Sequence, residues 1–241
     1  MALAVALMAL SLPSCVISGD RCELVDLRTE NHSIELGDAE SVVIDVDMGI
    51  GELVIRSGAK SLAELEFAYN VAEWRPEVSY EVVGGKGRLF ITQPDAKGQS
   101  ASAGARNEWK LSLTEDVPLE INVDMGVGEA TLTLGDLMLT DLEVDHGVGD
   151  VTIDLSGSSI GDMTGVIDGG IGSITVVVPS AVGVRIDADT GIGSFNACGL
   201  KKSGNSLVND AYDETDSTIR LSIDAGIGKI TVETDEASVS I

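Results

Sequence analysis

LEVDHGVGDVTIDL, residues 142–155, holds a tight Gly147-Val148-Gly149 corner between two short runs of alternating apolar residues. Period-2 alternation on both sides of a glycine corner predicts strand, corner, strand. The unit recurs five more times, with corners at Gly49-Ile50-Gly51, Gly126-Val127-Gly128, Gly170-Ile171-Gly172, Gly191-Ile192-Gly193 and Gly226-Ile227-Gly228. Three successive intervals are 21, 23 and 21 residues. A period near that length predicts a solenoid of stacked rungs, because no single rung can bury its apolar face alone. The wider gaps before Gly126 and Gly226 must hold insertions.

Aligned on the first glycine, all six copies place Asp two residues earlier: Asp47, Asp124, Asp145, Asp168, Asp189 and Asp224. An apolar residue precedes each Asp, and the residue inside the corner is always Ile or Val. Beyond the second glycine come pairs such as Leu53/Ile55, Val151/Ile153, Ile174/Val176 and Ile230/Val232. The expected interior is therefore a set of Ile, Val and Leu ladders. The glycines either adopt φ > 0 or let backbones stack where a Cβ would clash.

The stretch 113–157, LTEDVPLEINVDMGVGEATLTLGDLMLTDLEVDHGVGDVTIDLSG, resembles the bacterial toast-rack repeat proteins. It is similar to the C-terminal domain of LiaF-type cell-wall-active-antibiotic response proteins and to a broader candidate-adhesin group. The resemblance spans roughly 40–241, and the part before 113 resembles the toast-rack N-terminal module. It implies a single-sheet or β-helical fold outside the cytoplasm and no catalytic residues. LiaF-type proteins carry membrane helices ahead of this domain. None precedes it here, which argues against a LiaF-like role in regulating a sensor kinase.

The fold class expected is all-β: a β-solenoid, toast-rack or single-stranded β-helix-like, with an inserted antiparallel β module. Aromatic residues are only 3% of the chain, which suits thin stacked rungs better than a globular core packed with rings. The formal net charge is −25, from 40 acidic against 15 basic residues. Such a surface repels nucleic acid and anionic lipid and favours cationic partners or divalent ions. The plainer reading is a solvated acidic surface that keeps stacked strands from aggregating.

Residues 1–14 read as a signal peptide: Ala2–Leu12 is an apolar run too short to span a bilayer but right for a signal h-region. Leu12-Pro13-Ser14-Cys15 resembles a bacterial lipobox, in which Cys15 is the lipidated residue. Residues 15–39 read as a tether. Cys22 and Cys198 then remain as a pair that an oxidising compartment would join, two separate thiols being the alternative. Residues 40–114 read as the toast-rack N-terminal module with its insertion, and 115–241 as the solenoid repeats. Within the insertion, 63–70, 77–83, 87–92 and 108–113 read as strands, Gly84-Gly85 as a hairpin turn and 94–107 as a loop. Six of the eight aromatic rings fall there: Phe67, Tyr69, Trp74, Tyr80, Phe90 and Trp109. Alternating positions make them the module's core, with Trp74 the ring most expected at the surface. Residues 203–217 read as a polar loop, and Ile219–Glu233 as the last rung.

The Asp column is the sharpest candidate for chemistry. Rungs about 4.8 Å apart would bring like charges together, at a cost unless the carboxylates are solvated, hydrogen-bonded or bridged by a cation such as calcium. The alternative is that each Asp caps the backbone of its own corner. Asp45, Glu143 and Asp187 supply a second position. Gly157–Gly161 fits G-x-S-x-G in letters only, without the following helix that a nucleophile elbow needs. His146 reads as a partly exposed strand residue. No P-loop, dinucleotide fingerprint or zinc-protease motif occurs.

These residues support a non-enzymatic, lipid-anchored envelope protein outside the cytoplasm. It would present a rigid β-repeat surface to an envelope protein or glycan, with homo-oligomerisation through the solenoid ends open to it. It needs no cofactor, calcium being the one ion the Asp row suits, and it touches the membrane only through its anchor. The alternative is a calcium- or cationic-peptide-binding envelope-stress sensor. A carbohydrate-active β-helix enzyme ranks third and would require Trp74, Trp109 and paired carboxylates in one cleft.

Overall fold

The structure is a computed structural model that describes residues 24–94, 103–157, 159 and 161–235. In chain order the strands are β1 (Leu24–Ile34), β2 (Ser41–Ser57), β3 (Ala63–Val71), β4 (Glu77–Val83), β5 (Lys86–Thr92), β6 (Asn107–Leu113), β7 (Leu119–Thr133), β8 (Leu139–Asp154), β9 (Met163–Val178), β10 (Gly183–Cys198), β11 (Lys201–Ser203), β12 (Ser206–Val208) and β13 (Thr218–Thr234). A 3-10 turn, Ala72–Trp74, follows β3. The strands form one sheet in the order β1-β3-β6-β2-β7-β8-β9-β13-β10-β12-β11, with β5 also joined to β2 and β4 to β5.

The six repeat units are the long strands β2, β7, β8, β9, β13 and β10, and neighbours in that order pair in parallel. Parallel neighbours ordinarily need a crossover of a dozen residues or more. Here five residues, 134–138, join the neighbours β7 and β8, and four, 179–182, join β9 to β10, two rungs along the stack. Links that short cannot span an extended strand of this length, so each rung folds back at its glycine corner into two facing arms. The corner also shifts the alternation. In β8, Leu142, Val144 and His146 are buried before it and Val151 and Ile153 after it. His146 and Val151 lie an odd number of residues apart, so both arms turn the same side inward.

Two ladders run through the second arms. One is Leu53-Ala130-Val151-Ile174-Ile230 and the other Ile55-Leu132-Ile153-Val176-Val232, all buried. Stacking puts glycine against backbone. A Cβ on Gly128 would meet the carbonyl oxygen of Gly51 at 1.8 Å, and one on Gly172 that of Gly149 at 1.6 Å. The second glycine also holds φ between 139° and 154° in five of the rungs: Gly51, Gly128, Gly149, Gly172 and Gly228.

In the N-terminal module β1 with β3, β3 with β6 and β4 with β5 pair antiparallel, whereas β5 and β6 each join β2 in parallel. β4 and β5 join through Gly84 and Gly85, at φ 60° and 80°, which suit a two-residue hairpin turn. β5 pairs with the first arm of β2 and β6 with the second, so the module closes that end of the stack. Phe67, Tyr69 and Trp109 are fully buried, Phe67 and Trp109 meeting edge to face at 5.3 Å.

Four expectations need correcting. Residues 24–34, within the stretch read as a tether, form β1, held against β3 from Arg28↔Tyr69 to Ile34↔Ala63. Trp74, expected at the surface, is 1% exposed because the turn after β3 tucks it inward. The 203–217 stretch is not only a loop, since 201–208 form the β11–β12 hairpin on the outer side of β10. Finally, β13 is not the last rung. It inserts between β9 and β10, leaving β10 outermost. The signal peptide, Cys15 and Cys22 lie outside the described residues, as do 95–102 of the expected loop. Cys198 ends β10, exposed.

Candidate functional site

The outer face of the first arms carries the Asp column. The pairs Asp47↔Asp124, Asp124↔Asp145, Asp145↔Asp168, Asp168↔Asp224 and Asp224↔Asp189 align in register, so all six predicted residues form one row. All face outward; Asp47 is half-buried and the others are exposed. Burial first, then the charges of Asp224 and Asp145, raise the Asp168 carboxyl above its ordinary pKa. Asp168, flanked in register by Asp145 and Asp224, thus meets both as repelling carboxylates. Among the described residues no three His, Cys, Asp or Glu side chains converge as a metal-holding group.

The second carboxylate position is less regular. Asn122 separates Asp45 from Glu143 in register. Asp45 receives Arg88 Nε at 2.9 Å and Asn122 Nδ2 at 2.8 Å. The Arg88 guanidinium also lies 4.7 Å over the Phe90 ring. Two troughs follow the face. One, of about 430 Å³, is lined by Asp45, Asp47, Phe90, Asp124, Glu143 and Asp145 among others. The other, of about 540 Å³, runs beside the corners between Asp145, Asp168, Asp224 and Asp189, over a floor of Gly147, Gly170, Gly191 and Gly226. Glycine leaves that floor without side chains, which gives the trough its depth.

His146 is 3% exposed, so it is a buried residue and not the partly exposed one expected. It continues the inward column of Met48 and Met125. Its Nε2 lies 3.2 Å from the Gly128 carbonyl oxygen. Burial lowers its pKa, and the Gly128 carbonyl, Asp150 and Asp145 oppose that shift.

The feature that sequence reasoning missed is the apex. The corner residue of every rung points away from the core. Ile50, Val127, Val148, Ile171, Ile227 and Ile192 align in register as a spine. Ile50 is half-buried, and the others are 45%, 44%, 52%, 48% and 70% exposed. The Asp row flanks the spine on one side, and Glu52, Glu129 and Asp150 on the other. A contiguous exposed apolar strip rimmed by polar residues marks an interaction surface. The signal was present in the sequence, since an odd number of residues separates the inward positions on either side of each corner.

The arrangement offers little to catalysis. Trp109 is fully buried, its Nε1 donating to Asn107 Oδ1 at 3.0 Å. Trp74 borders a hollow with Glu52, Glu108 and Glu129, but Arg106 ion-pairs Glu108 and holds its pKa down. Gly157 of the G-x-S-x-G stretch packs against the Gly135 backbone, where a Cβ would lie 2.2 Å from its carbonyl carbon; Ser158 and Ile160 lie outside the described residues. Among the described residues no helix is long and apolar enough to cross a membrane.

Residues 24–177 match the family model for the N-terminal domain of toast_rack. Residues 127–232 match the model for the C-terminal part of LiaF, cell wall-active antibiotics response. The two matches overlap over residues 127–177, from the end of β7 through β8 and nearly all of β9. A crystal structure of a candidate cell adhesion protein from Clostridium sporogenes is similar at 35% identity and TM-score 0.84, covering 87% of this chain and 100% of that one. A candidate adhesin from Bacteroides fragilis aligns over 86% of this chain and 96% of its own at 13% identity, but its TM-score of 0.32 gives the likeness no weight. No curated protein matches the chain.

Proposed function

The chain belongs to the toast-rack family, and from that premise we propose that it is a non-enzymatic bacterial cell-envelope lipoprotein whose rung corners form a rigid surface for interaction or adhesion. The observation that carries this reading is the spine. Exposed β-branched side chains repeat at the rung spacing on a scaffold whose glycines lock each corner to the next. Binding there needs no induced ordering, which lowers its entropic cost. The likeness to the Clostridium sporogenes cell adhesion candidate supports the same reading. Anchoring through Cys15 would hold the stack at a membrane surface, facing outward.

The test is a binding isotherm of labelled protein on isolated envelopes and intact cells. Val127→Thr, Val148→Thr and Ile171→Thr together keep β-branching but remove apolar surface. They should weaken binding at least about tenfold, the effect of losing roughly 1.4 kcal/mol, with melting unchanged. Equal binding by the variant would refute the role of the spine. Separately, Cys15→Ser should move the protein from the membrane fraction to the soluble one.

The in-register carboxylates favour a second reading, an envelope-stress sensor that takes calcium or a cationic peptide along the Asp row. Thermal unfolding in excess calcium and then in chelator separates the two. A ligand at 100 times its dissociation constant adds about 2.7 kcal/mol to the folded state. A calcium-specific rise in Tm supports the sensor; an unmoved Tm leaves the row as a solvated flank of the spine.

A further inference from the structure

The two ends of the stack are finished differently. At the β2 end, the module closes both arms and the corner. Gln93 Oε1 accepts from Ile50 N at 3.2 Å, and Asn107 Nδ2 donates to Ile50 O at 2.8 Å. At the β10 end only the first arm is finished. β12 pairs with Arg185 and Ile186, and Asn209 Oδ1 accepts from Val184 N at 2.9 Å. Among the described residues no strand pairs with the outer side of Gly191–Cys198.

That bare arm lacks the usual protections of an exposed edge. Edge strands are ordinarily blunted by Lys, Pro, an inward charge or a bulge. Residues 191–198 read GIGSFNAC and hold no charged residue, in a chain with 40 acidic and 15 basic residues. The interior is open there too. Phe195 continues the column of Ile230, yet it is 37% exposed where Ile230 is 0%. Ile192, at 70%, is the most exposed residue of the spine.

We propose that Gly191–Cys198 is a homodimer interface, in which a second copy of this chain adds the same arm in antiparallel orientation and extends the sheet from one stack into the other. Charge leaves this arm as the place where a second copy meets least repulsion, and self-complementarity selects that copy as the occupant. Two copies at −25 repel each other through their Asp rows and spine flanks, whereas a neutral arm lets them approach. A partner recognised by charge would be met at the Asp row instead. The other end offers no equivalent edge, because β1 carries Asp26, Arg28 and Glu30 and the β2 corner is already closed. A two-fold interface requires a self-complementary patch, and a neutral strand paired antiparallel with itself provides one. The pairing covers Phe195 and Ile192 and gives partners to the arm's outward N–H and C=O groups.

Sedimentation velocity over a hundredfold concentration range, on the protein as purified, tests this. The expected result is a concentration-dependent dimer. Asn196→Lys sets like charges against each other across the axis and should weaken association at least about tenfold. Phe195→Thr, a second route that keeps strand propensity, should weaken it also. Thr152→Lys adds the same charge to the same outward column on an inner rung and should leave the dimer intact. Circular dichroism confirms that each variant is folded. A monomeric mass at every concentration overturns the proposal, whether the edge is then bare or covered by another part of the chain. A dimer that survives both Asn196→Lys and Phe195→Thr overturns it as well, since the contact then lies elsewhere.

Discussion

The Cα of Gly149 faces the carbonyl oxygen of Gly128 so closely that a Cβ there would lie 1.8 Å from that oxygen. The obstacle is backbone of the neighbouring rung, which cannot swing aside as a side chain would, and Gly149 also holds φ 139°. Gly149→Ala should therefore cost about 3 kcal/mol or more, lowering Tm by roughly 6 °C or preventing folding. Gly161→Ala, where a Cβ would meet nothing within 4 Å, should stay within about 0.5 kcal/mol. Differential scanning calorimetry of the pair separates corner stacking from a general intolerance of substitution.

His146 gives the stack a pH dependence of definite sign. Burial lowers its folded pKa below the ordinary value of 6.5. The unfolded chain therefore binds a proton that the folded chain resists, and stability falls as pH drops below about 6.5. The loss is at most about 1.4 kcal/mol per pH unit for one proton. His146→Met, matching Met48 and Met125 in the same column, should remove that slope while keeping the packing. Denaturant unfolding of both proteins at pH 7 and pH 5 checks it; equal slopes would show that His146 does not titrate with folding.

Much of this was legible in the sequence, and the exceptions have physical causes. The rung register could be read because Asp, corner residue and second-arm pair repeat together, and one register satisfies all three. The module strands could be read because aromatic alternation around Phe67, Tyr69 and Trp109 is a strong period-2 signal. Rung order could not. Every rung presents the same columns to its neighbours, so β13 fits beside β9 as well as β10 does, and nothing local marks which is outermost. The outward direction of Val148 was not read, because an Ile or Val inside a repeat does not by itself show which side it takes, whereas the corner's odd residue turns it out. The burial of His146 was available from its column, where the preceding rungs place Met, but its place beside a corner suggested the surface.

Glu30 anchors β1, the strand read from sequence as part of a tether. Arg75 Nε donates to Glu30 Oε1 at 2.9 Å, Nη2 to Oε2 at 3.1 Å, and Tyr69 Oη to Oε1 at 2.5 Å. The Arg75 hydrogen bond first, then that of Tyr69, lowers the Glu30 pKa to about 2. A depressed carboxylate stabilises the fold above its unfolded pKa near 4.5 and loses that contribution as pH falls toward 2. Arg75→Ala should bring the Glu30 pKa back toward the ordinary range and speed amide exchange in β1 and β3. Carboxyl-carbon NMR titration reads the first effect directly. A Glu30 pKa unmoved by the substitution would assign the shift to Tyr69 instead.

Asp168 runs the opposite way. Burial, Asp224 and Asp145 raise its folded pKa, so its ionised form opposes folding at neutral pH, and the opposition disappears as pH falls below the unfolded value of 3.8. Asp168→Asn should accordingly raise Tm at pH 7.5 and low ionic strength, by about 1 °C as befits an exposed site. The gain should shrink in 1 M salt, where the screening length is about 3 Å, shorter than the rung spacing. It should vanish at pH 3. The part of the gain that persists in high salt reads the desolvation that leads the shift; a gain that vanishes altogether in high salt would mean that the charges of Asp145 and Asp224 alone set its cost. If calcium or a cationic peptide occupied the row under the assay conditions, the substitution would instead lower Tm. The sign of this one shift therefore discriminates a repelling flank from a cation-binding row.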